Sequence, residues 1–217
     1  PYSDNGNGYL SEQNVNELQE RLGWADVVAI GSGLGREKET QDSVLKIIKE
    51  RNFKMMVIDA DAIFALSQVD YSKLDLKDLV FTPHNGEFAN LIGVKVNELK
   101  KDLLKYGGEF VQSTGAYLIL KGAPTVIFTP GQQGEIFINT AGNPGMAKFG
   151  TGDVLTGVLA GIIAQSKEIE KSIIAGVYLH SLAADLLIKE YTEFGYTAEN
   201  ILKNLPSAIK FLRDSIV

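Results

Sequence analysis

From residue 26 to residue 120 the chain repeats one pattern. A short apolar run stops abruptly on glycine or polar side chains, and a helical segment follows. Asp26-Val-Val-Ala-Ile30 stops on Gly31-Ser-Gly-Leu-Gly35, Met55-Met-Val-Ile58 on Asp59-Ala-Asp61, Leu79-Val-Phe81 on Thr82-Pro-His-Asn-Gly-Glu87, and Tyr117-Leu-Ile-Leu120 on Lys121-Gly122. Continuous apolar runs of this length read as strands buried on both faces, and strands that alternate with helices pack as a parallel sheet with helices on either side. Right-handed crossovers return each strand in the same direction, so all carboxyl ends fall on one edge. Ligands of such sheets bind beyond that edge. Here the edge collects Gly31 to Gly35, Asp59 to Asp61, Thr82 to Glu87 and Lys121 to Thr125.

Between the strands, helices are expected over residues 11–22 (Val15, Leu18 and Leu22 on one face, Ser11 as cap), 40–51, 62–68, 88–92 and 97–114. Thr125-Val-Ile-Phe128 and Glu135-Ile-Phe-Ile138 flank Pro130-Gly-Gln-Gln-Gly134 and read as a β-hairpin. Residues 1–8 read as a polar surface loop. Residues 153–165, 168–190 and 197–216 read as helices.

The helical half is entered through Asn143-Pro-Gly-Met-Ala-Lys-Phe-Gly-Thr-Gly-Asp153, a glycine-rich loop leading into the apolar run Val154-Leu-Thr-Gly-Val-Leu-Ala-Gly-Ile-Ile-Ala164. The exposed N–H groups and positive dipole end of that helix make an anion site. Asp153 stands at the same end. It serves either as a helix cap or, beside a bound phosphate, as a group that handles a proton or a metal.

The other strand ends read less sharply. Gly31-x-Gly-x-Gly35 carries Arg36 where the dinucleotide fingerprint needs glycine, so a plain tight turn accounts for it as well as a ligand contact does. Asp61 is expected to cap the helix at Ala62, and Asp59 to face a polar pocket. His84 and Glu87 offer a ligand pair, or Thr82 or Asn85 caps the next helix and Glu87 stabilises its first turn. Lys121 is a strand-end cation suited to phosphate. His180 lies in an apolar helix and reads as a core histidine.

Composition limits the function classes. A chain of 217 residues with 45% hydrophobic residues and no cysteine can form a core and has no thiolate chemistry. Its net charge of −6 speaks against non-specific nucleic-acid binding. No apolar run is long enough for a membrane span of ~20 residues, and a cytoplasmic location is expected, without nucleic-acid or membrane partners.

Taken together, these stretches resemble the ADP/ATP-dependent NAD(P)H-hydrate dehydratase family of the ribokinase-like superfamily. The resemblance is carried in order by Ala29-Ile-Gly-Ser-Gly-Leu-Gly35, Val57-Ile-Asp-Ala-Asp-Ala62, Thr82-Pro-His-Asn-Gly-Glu-Phe88, Leu120-Lys-Gly-Ala123 and Asn139-Thr-Ala-Gly-Asn-Pro-Gly-Met-Ala147 with Gly150-Thr-Gly-Asp153. It implies a three-layer α/β/α sandwich with a mostly parallel central sheet, as one catalytic domain over residues 1–217. It implies a repair reaction in which hydrated NADH or NADPH is restored with consumption of ADP or ATP, by phosphorylation of the ring hydroxyl and elimination of phosphate. By this resemblance Asp153 is the base, and Gly150, Thr151, Gly152 and Asp153 receive the phosphoryl group through their amides. Lys121, Gly122, Ala123, Pro124, Thr125, Asn143 and Gly152 contact the nucleotide, and Gly33, His84 and Asp153 the hydrated dinucleotide. Mg²⁺ accompanies the phosphates, held largely through water, and the family's habit of tetramers implies a homo-oligomer.

The chain departs from the family pattern at Ser32, where proline is usual, and at Lys148-Phe149, where small residues are usual. A family strand–helix segment ahead of Pro1 is absent from the sequence, and a separate segment is expected to complete the sheet before Asp26. A superfamily kinase for a small alcohol, such as a thiazole or pyrimidine vitamin precursor, would share Gly-Thr-Gly-Asp. Such kinases usually carry Asn where this chain has His84. A non-catalytic nucleotide-binding module is the third reading, and it gives Asp153 no work.

Overall fold

A computed structural model of the chain describes residues 6, 8–53, 55–131 and 134–216. Residues 1–5 and 7 of the expected surface loop, and Gln132 and Gln133 of the expected hairpin turn, lie outside the described residues. The strands are β1 (Val27–Ile30), β2 (Met55–Ile58), β3 (Val80–Phe81), β4 (Tyr117–Leu120), β5 (Thr125–Phe128) and β6 (Ile136–Asn139). They form a six-stranded sheet in the order β1-β2-β3-β4-β5-β6. β1 to β4 are mutually parallel, and β4 and β5 are antiparallel. This mostly parallel sheet flanked by helices is the α/β architecture that the resemblance implies.

The helices are α1 (Glu12–Trp24), α2 (Lys38–Lys49), α3 (Ala60–Ser67), α4 (Asn85–Leu91), α5 (Val96–Leu99), α6 (Leu103–Thr114), α7 (Thr151–Ser166), α8 (Ile169–Leu187) and α9 (Ala198–Ile216). The single helix expected over residues 97–114 is two. The Lys101 and Asp102 N–H groups turn back to the Glu98 and Leu99 carbonyls, which tightens and ends α5. Asp102 then takes a non-helical φ of −145° as the N-cap of α6. Aspartate has low helix propensity, which favours a break here, although its side chain makes no capping hydrogen bond.

The chain divides into two compact units, Pro1–Gly122 with Val126–Ile136, and Ala123–Thr125 with Phe137–Val217. In the first, register carries one line across the strand ends: Ile30 opposite Ile58, Ile58 opposite Phe81, and Phe81 opposite Leu118. The residues that follow these positions therefore emerge side by side. Beneath them Phe110 of α6 meets the edges of Phe81 (5.3 Å between centroids) and Phe88 (5.5 Å). Each buried ring contributes ~1.5–3 kcal/mol, and an edge-to-face pair ~0.5–1.5 kcal/mol more.

In the second unit Leu182, Ala183, Ala184 and Leu187 of α8 form a core with Tyr196, Ile201 and Ala208. Gly176 of α8 lets α7 come close, since a Cβ there would sit 2.9 Å from Leu159 Cδ2.

Candidate active site

The first unit's strand ends assemble around two carboxylates. Ile30 and Gly31 carbonyls accept the Asp59 and Asp61 N–H groups (3.0 and 3.2 Å), which joins the end of β1 to the start of α3. Gly31 has φ +129°, and a Cβ would lie 1.8 Å from the Asp59 carbonyl oxygen, so only glycine fits. Asp61 does not cap α3, which begins two residues earlier than expected, at Ala60. Its carboxylate instead accepts from the Gly35 N–H (3.0 Å) and Arg36 Nε (3.1 Å), and so fixes the 31–36 turn. Ala60 holds φ +45°, a strained conformation for a residue with a Cβ, between the two aspartates. Gly33 is exposed at the crest of the turn with open space where a Cβ would be.

Asp59 is 2% exposed, and Lys121 Nζ lies 2.7 Å from its Oδ1. The cation expected to serve phosphate is thus tied to a buried carboxylate from the neighbouring part of the edge. Thr82, fully buried, donates its Oγ1 to the Ile58 carbonyl. His84 is the N-cap of α4, in place of the expected Thr82 or Asn85. Its Nδ1 accepts from the Gly86 and Glu87 N–H groups (3.0 and 3.1 Å), and Glu87 Oε2 accepts from the His84 N–H (2.8 Å). That reciprocal pair is a capping box built with histidine. It bears out the expected first-turn role of Glu87 and fixes the imidazole with Nε2 outward, 3.5 Å from Glu87 Oε1. The His84–Lys121 parallel bridge carries the sheet edge on past β3 and β4. Gly122, Ala123 and Pro124 are exposed, and the Ala123–Pro124 peptide is cis.

The second unit holds the glycine-rich loop. The N-cap of α7 is Gly150, with φ +84°, and Asp153 is the third residue of the helix, exposed, so of the two readings of Asp153 the helix cap does not hold. The Gly150 carbonyl accepts the Val154 N–H (3.0 Å). The Gly152 and Asp153 N–H groups precede the first intrahelical bonds and meet no acceptor among the described residues. Thr151 is 7% exposed, and its hydroxyl has no hydrogen-bond partner among the described residues. Unpaired buried polar groups are costly. Two N–H groups and a hydroxyl at the positive end of a helix are donors awaiting an anion such as a phosphoryl group.

Asn143 caps the turn at residues 144–146, its Oδ1 accepting from the Gly145 N–H (3.1 Å) and from Tyr196 Oη (2.6 Å). Its Nδ2 donates to Asp185 Oδ1 (2.9 Å), and Asp185 Oδ2 accepts from the Gly142 N–H (2.8 Å). Burial pushes the Tyr196 phenol above its usual range, which keeps it a donor.

Residues 5–207 match the sequence profile of a family described as NAD(P)H-hydrate dehydratase. The chain belongs to that family. It is 38% identical over 211 residues to a bifunctional NAD(P)H-hydrate repair enzyme of Moorella thermoacetica, which covers 96% of this chain and 39% of the relative. It is 37% identical over 188 residues to an ADP-dependent (S)-NAD(P)H-hydrate dehydratase of Enterococcus faecalis, covering 86% of this chain and 62% of that one. Among solved structures, an ADP/ATP-dependent NAD(P)H-hydrate dehydratase of Bacillus subtilis, co-crystallised with ATP and Mg²⁺, superposes with a TM-score of 0.75 at 30% identity over 89% of this chain and 69% of that one. The chain thus spans well under two thirds of the length of the bifunctional relatives.

In this NAD(P)H-hydrate dehydratase family chain, sequence reasoning missed Asp185 and Tyr196. They stand far from Asn143 in sequence, although Asp185 had a legible signal: a lone carboxylate among the apolar residues of α8 needs a partner. His180 of the same helix is 4% exposed, in the core as expected. Among the described residues no helix is long and apolar enough to cross a membrane.

Proposed function

We propose that this chain carries out the nucleotide-dependent dehydration of hydrated NADH or NADPH. The observation that carries the reading is the start of α7, where the Gly152 and Asp153 N–H groups and the buried Thr151 hydroxyl lack acceptors. A transferring phosphoryl group supplies oxygens for all three, and an exposed carboxylate stands on the same helical turn. Asp153 takes the proton of the ring hydroxyl, whose oxygen then attacks the terminal phosphorus of ATP or ADP. The nucleotide leaves one phosphate shorter, with its charge gathered by the amides. The ring C–O bond then breaks and releases inorganic phosphate, a proton leaves the adjacent ring carbon to solvent, and the double bond of the dihydropyridine returns. Lys121, Gly122, Ala123, Pro124 and Thr125 serve the nucleotide, as Asn143 does through the loop it caps. Gly33 and His84 serve the hydrated dinucleotide. Mg²⁺ would accompany the phosphates, where it would offset their charge and be held largely through water. We place the protein in the cytoplasm as a homo-oligomer.

The test is incubation with NADH hydrate, ADP or ATP, and Mg²⁺. The expected result is recovered NADH absorbance with equimolar inorganic phosphate and nucleotide shortened by one phosphate. A stable phosphate ester of a thiazole or pyrimidine alcohol, without NADH recovery, would instead assign the kinase reading. Bound nucleotide with no turnover would leave a binding module.

A further inference from the structure

We propose that Asp185, acting through Asn143 and Tyr196, is a positioning residue that sets the loop from Gly142 to Thr151 and so aims the first amides of α7. The proposal rests on the dehydratase reading for what those amides do, and on geometry alone for how they are held.

The loop carries little regular structure of its own, yet nearly every turn of it is bonded to something fixed. The Asp185 carboxylate grips its entrance with both oxygens, one on the Gly142 N–H and one on Asn143 Nδ2. Asn143 passes the constraint on, since its Oδ1 takes the Gly145 N–H and the Tyr196 hydroxyl. Tyr196 is 1% exposed and packed in the core of the second unit, so its hydroxyl is a fixed point. Gly145 is pressed on the same segment: a Cβ would lie 2.4 Å from the Glu193 carbonyl oxygen and 2.6 Å from Tyr196 Oη.

Beyond Gly145 the backbone follows in short steps. Met146 N–H bonds the Asn143 carbonyl, Ala147 N–H the Pro144 carbonyl, Lys148 N–H the Met146 carbonyl, and Thr151 N–H the Lys148 carbonyl. Lys148, one of the residues that depart from the family pattern, closes the far side. Its Nζ donates to the Glu193 (2.9 Å) and Tyr196 (2.5 Å) carbonyls and sits 4.3 Å above the Tyr196 ring. The loop is therefore anchored at its entrance by α8 and at its exit by the segment ahead of α9. The hydrogen-bond polarity is fixed throughout. Asp185 can only accept, which forces the Asn143 amide to face it with nitrogen and to face Gly145 and Tyr196 with oxygen.

That polarity gives a test. Asp185→Asn leaves one acceptor oxygen for two donors, so its amide nitrogen faces either the Gly142 N–H or the Asn143 amide nitrogen and one of the two bonds is lost. The double variant Asp185→Asn with Asn143→Asp restores every bond with the donor and acceptor exchanged and the net charge unchanged. The readouts are kcat for NADH recovery, ADP affinity by calorimetry, and amide hydrogen exchange over residues 142–153. A small displacement of reacting groups costs up to ~10²-fold in rate. For Asp185→Asn we expect kcat to fall about tenfold to a hundredfold, ADP affinity to stay within about threefold, and exchange in the loop to rise about tenfold or more. The double variant should recover most of the lost exchange protection.

Three outcomes would overturn the proposal. They are wild-type kcat and exchange in Asp185→Asn, a double variant no better protected from exchange than the single one, and loss of ADP affinity in step with kcat. Should Asp185→Asn not fold, Tyr196→Phe keeps the ring and removes one bond to Asn143. Its expected effect is about a threefold or larger loss of kcat with faster exchange at Gly145, and no change in either would equally overturn the proposal. Hydrogen exchange reads the loop without turnover. A wild-type protein inactive on NADH hydrate would therefore defeat the dehydratase reading while leaving the positioning claim to stand or fall on exchange alone.

Discussion

Asp153→Asn preserves shape and hydrogen-bonding capacity while removing proton acceptance. Because Gly150 rather than Asp153 caps α7, the substitution leaves the helix start intact. General-base catalysis contributes ~10²–10⁴-fold, so turnover on NADH hydrate at saturating nucleotide should drop at least about a hundredfold. Nucleotide affinity should hold or rise, because a negative charge near the phosphates is gone. Near-wild-type turnover in the folded variant would remove the base assignment. Lys121 calls for a different experiment. Its partner Asp59 is 2% exposed, so Lys121→Ala takes an ion-pair partner from a buried carboxylate as well as removing the cation proposed for the phosphates. Loss of one partner of a buried pair costs ~3–5 kcal/mol, whereas replacing both with apolar groups is often near neutral. Urea melts should therefore show a large loss for Lys121→Ala and substantial recovery in Lys121→Ala with Asp59→Leu. Equal stabilities would mean that the pair contributes nothing to the fold. Only after that control can weakened ADP binding in Lys121→Ala be ascribed to the phosphates.

At the scale of elements, two adjacent glycines in α6 make opposite predictions. Replacing glycine by alanine in a helix gains ~0.8–1 kcal/mol of propensity. At Gly108 nothing lies within 4 Å of the new Cβ, so Gly108→Ala should raise the denaturant midpoint. At Gly107 the Cβ would fall 2.3 Å from Cζ of Phe128, which is fully buried and cannot retreat. Overpacking of that kind costs ~1–3 kcal/mol, so the clash outweighs the propensity and Gly107→Ala should lower the midpoint. The same contrast explains what was legible in the sequence. The apolar runs of β2 to β4 were readable because burial on both faces leaves a continuous apolar signature, whereas β1, read the same way, is only half-buried and exposes Ala29. The glycine-rich entrance to α7 was readable because glycine and a helix start have local chemistry. Tertiary partners were not. Asp61 looked like a cap because the sequence cannot show the Gly35 N–H that claims it, and Lys121 looked free because Asp59 lies on another strand end. Asp102 broke a helix that apolar spacing alone would continue, and His84 displaced the better capping residues around it. Where a polar side chain chose between a local and a distant partner, as Asp61 and Lys121 did, periodicity carries no information on that choice.

At the scale of the whole molecule, binding and chemistry can be separated by linkage. A ligand that binds only the folded chain stabilises it by RT ln(1 + [L]/Kd), ~2.7 kcal/mol at a hundredfold excess over Kd. For a chain of this size each kcal/mol moves Tm by ~2–4 °C, so ADP or ATP with Mg²⁺ should raise Tm by roughly 5–11 °C. The net charge of −6 opposes a polyphosphate at long range, so local donors must supply the attraction, and the shift should survive moderate salt better than one due to diffuse surface charge. Thr151→Val removes one of those donors while keeping the shape and burial of the side chain. Without nucleotide it should leave Tm unchanged or slightly higher, because the hydroxyl has no partner among the described residues to lose. With nucleotide it should show a smaller shift than the wild type. Asp153→Asn should keep the full shift while losing turnover. The decisive comparison is between those two variants in differential scanning calorimetry. If Thr151→Val responds to nucleotide as the wild type does, the start of α7 is not where phosphate binds.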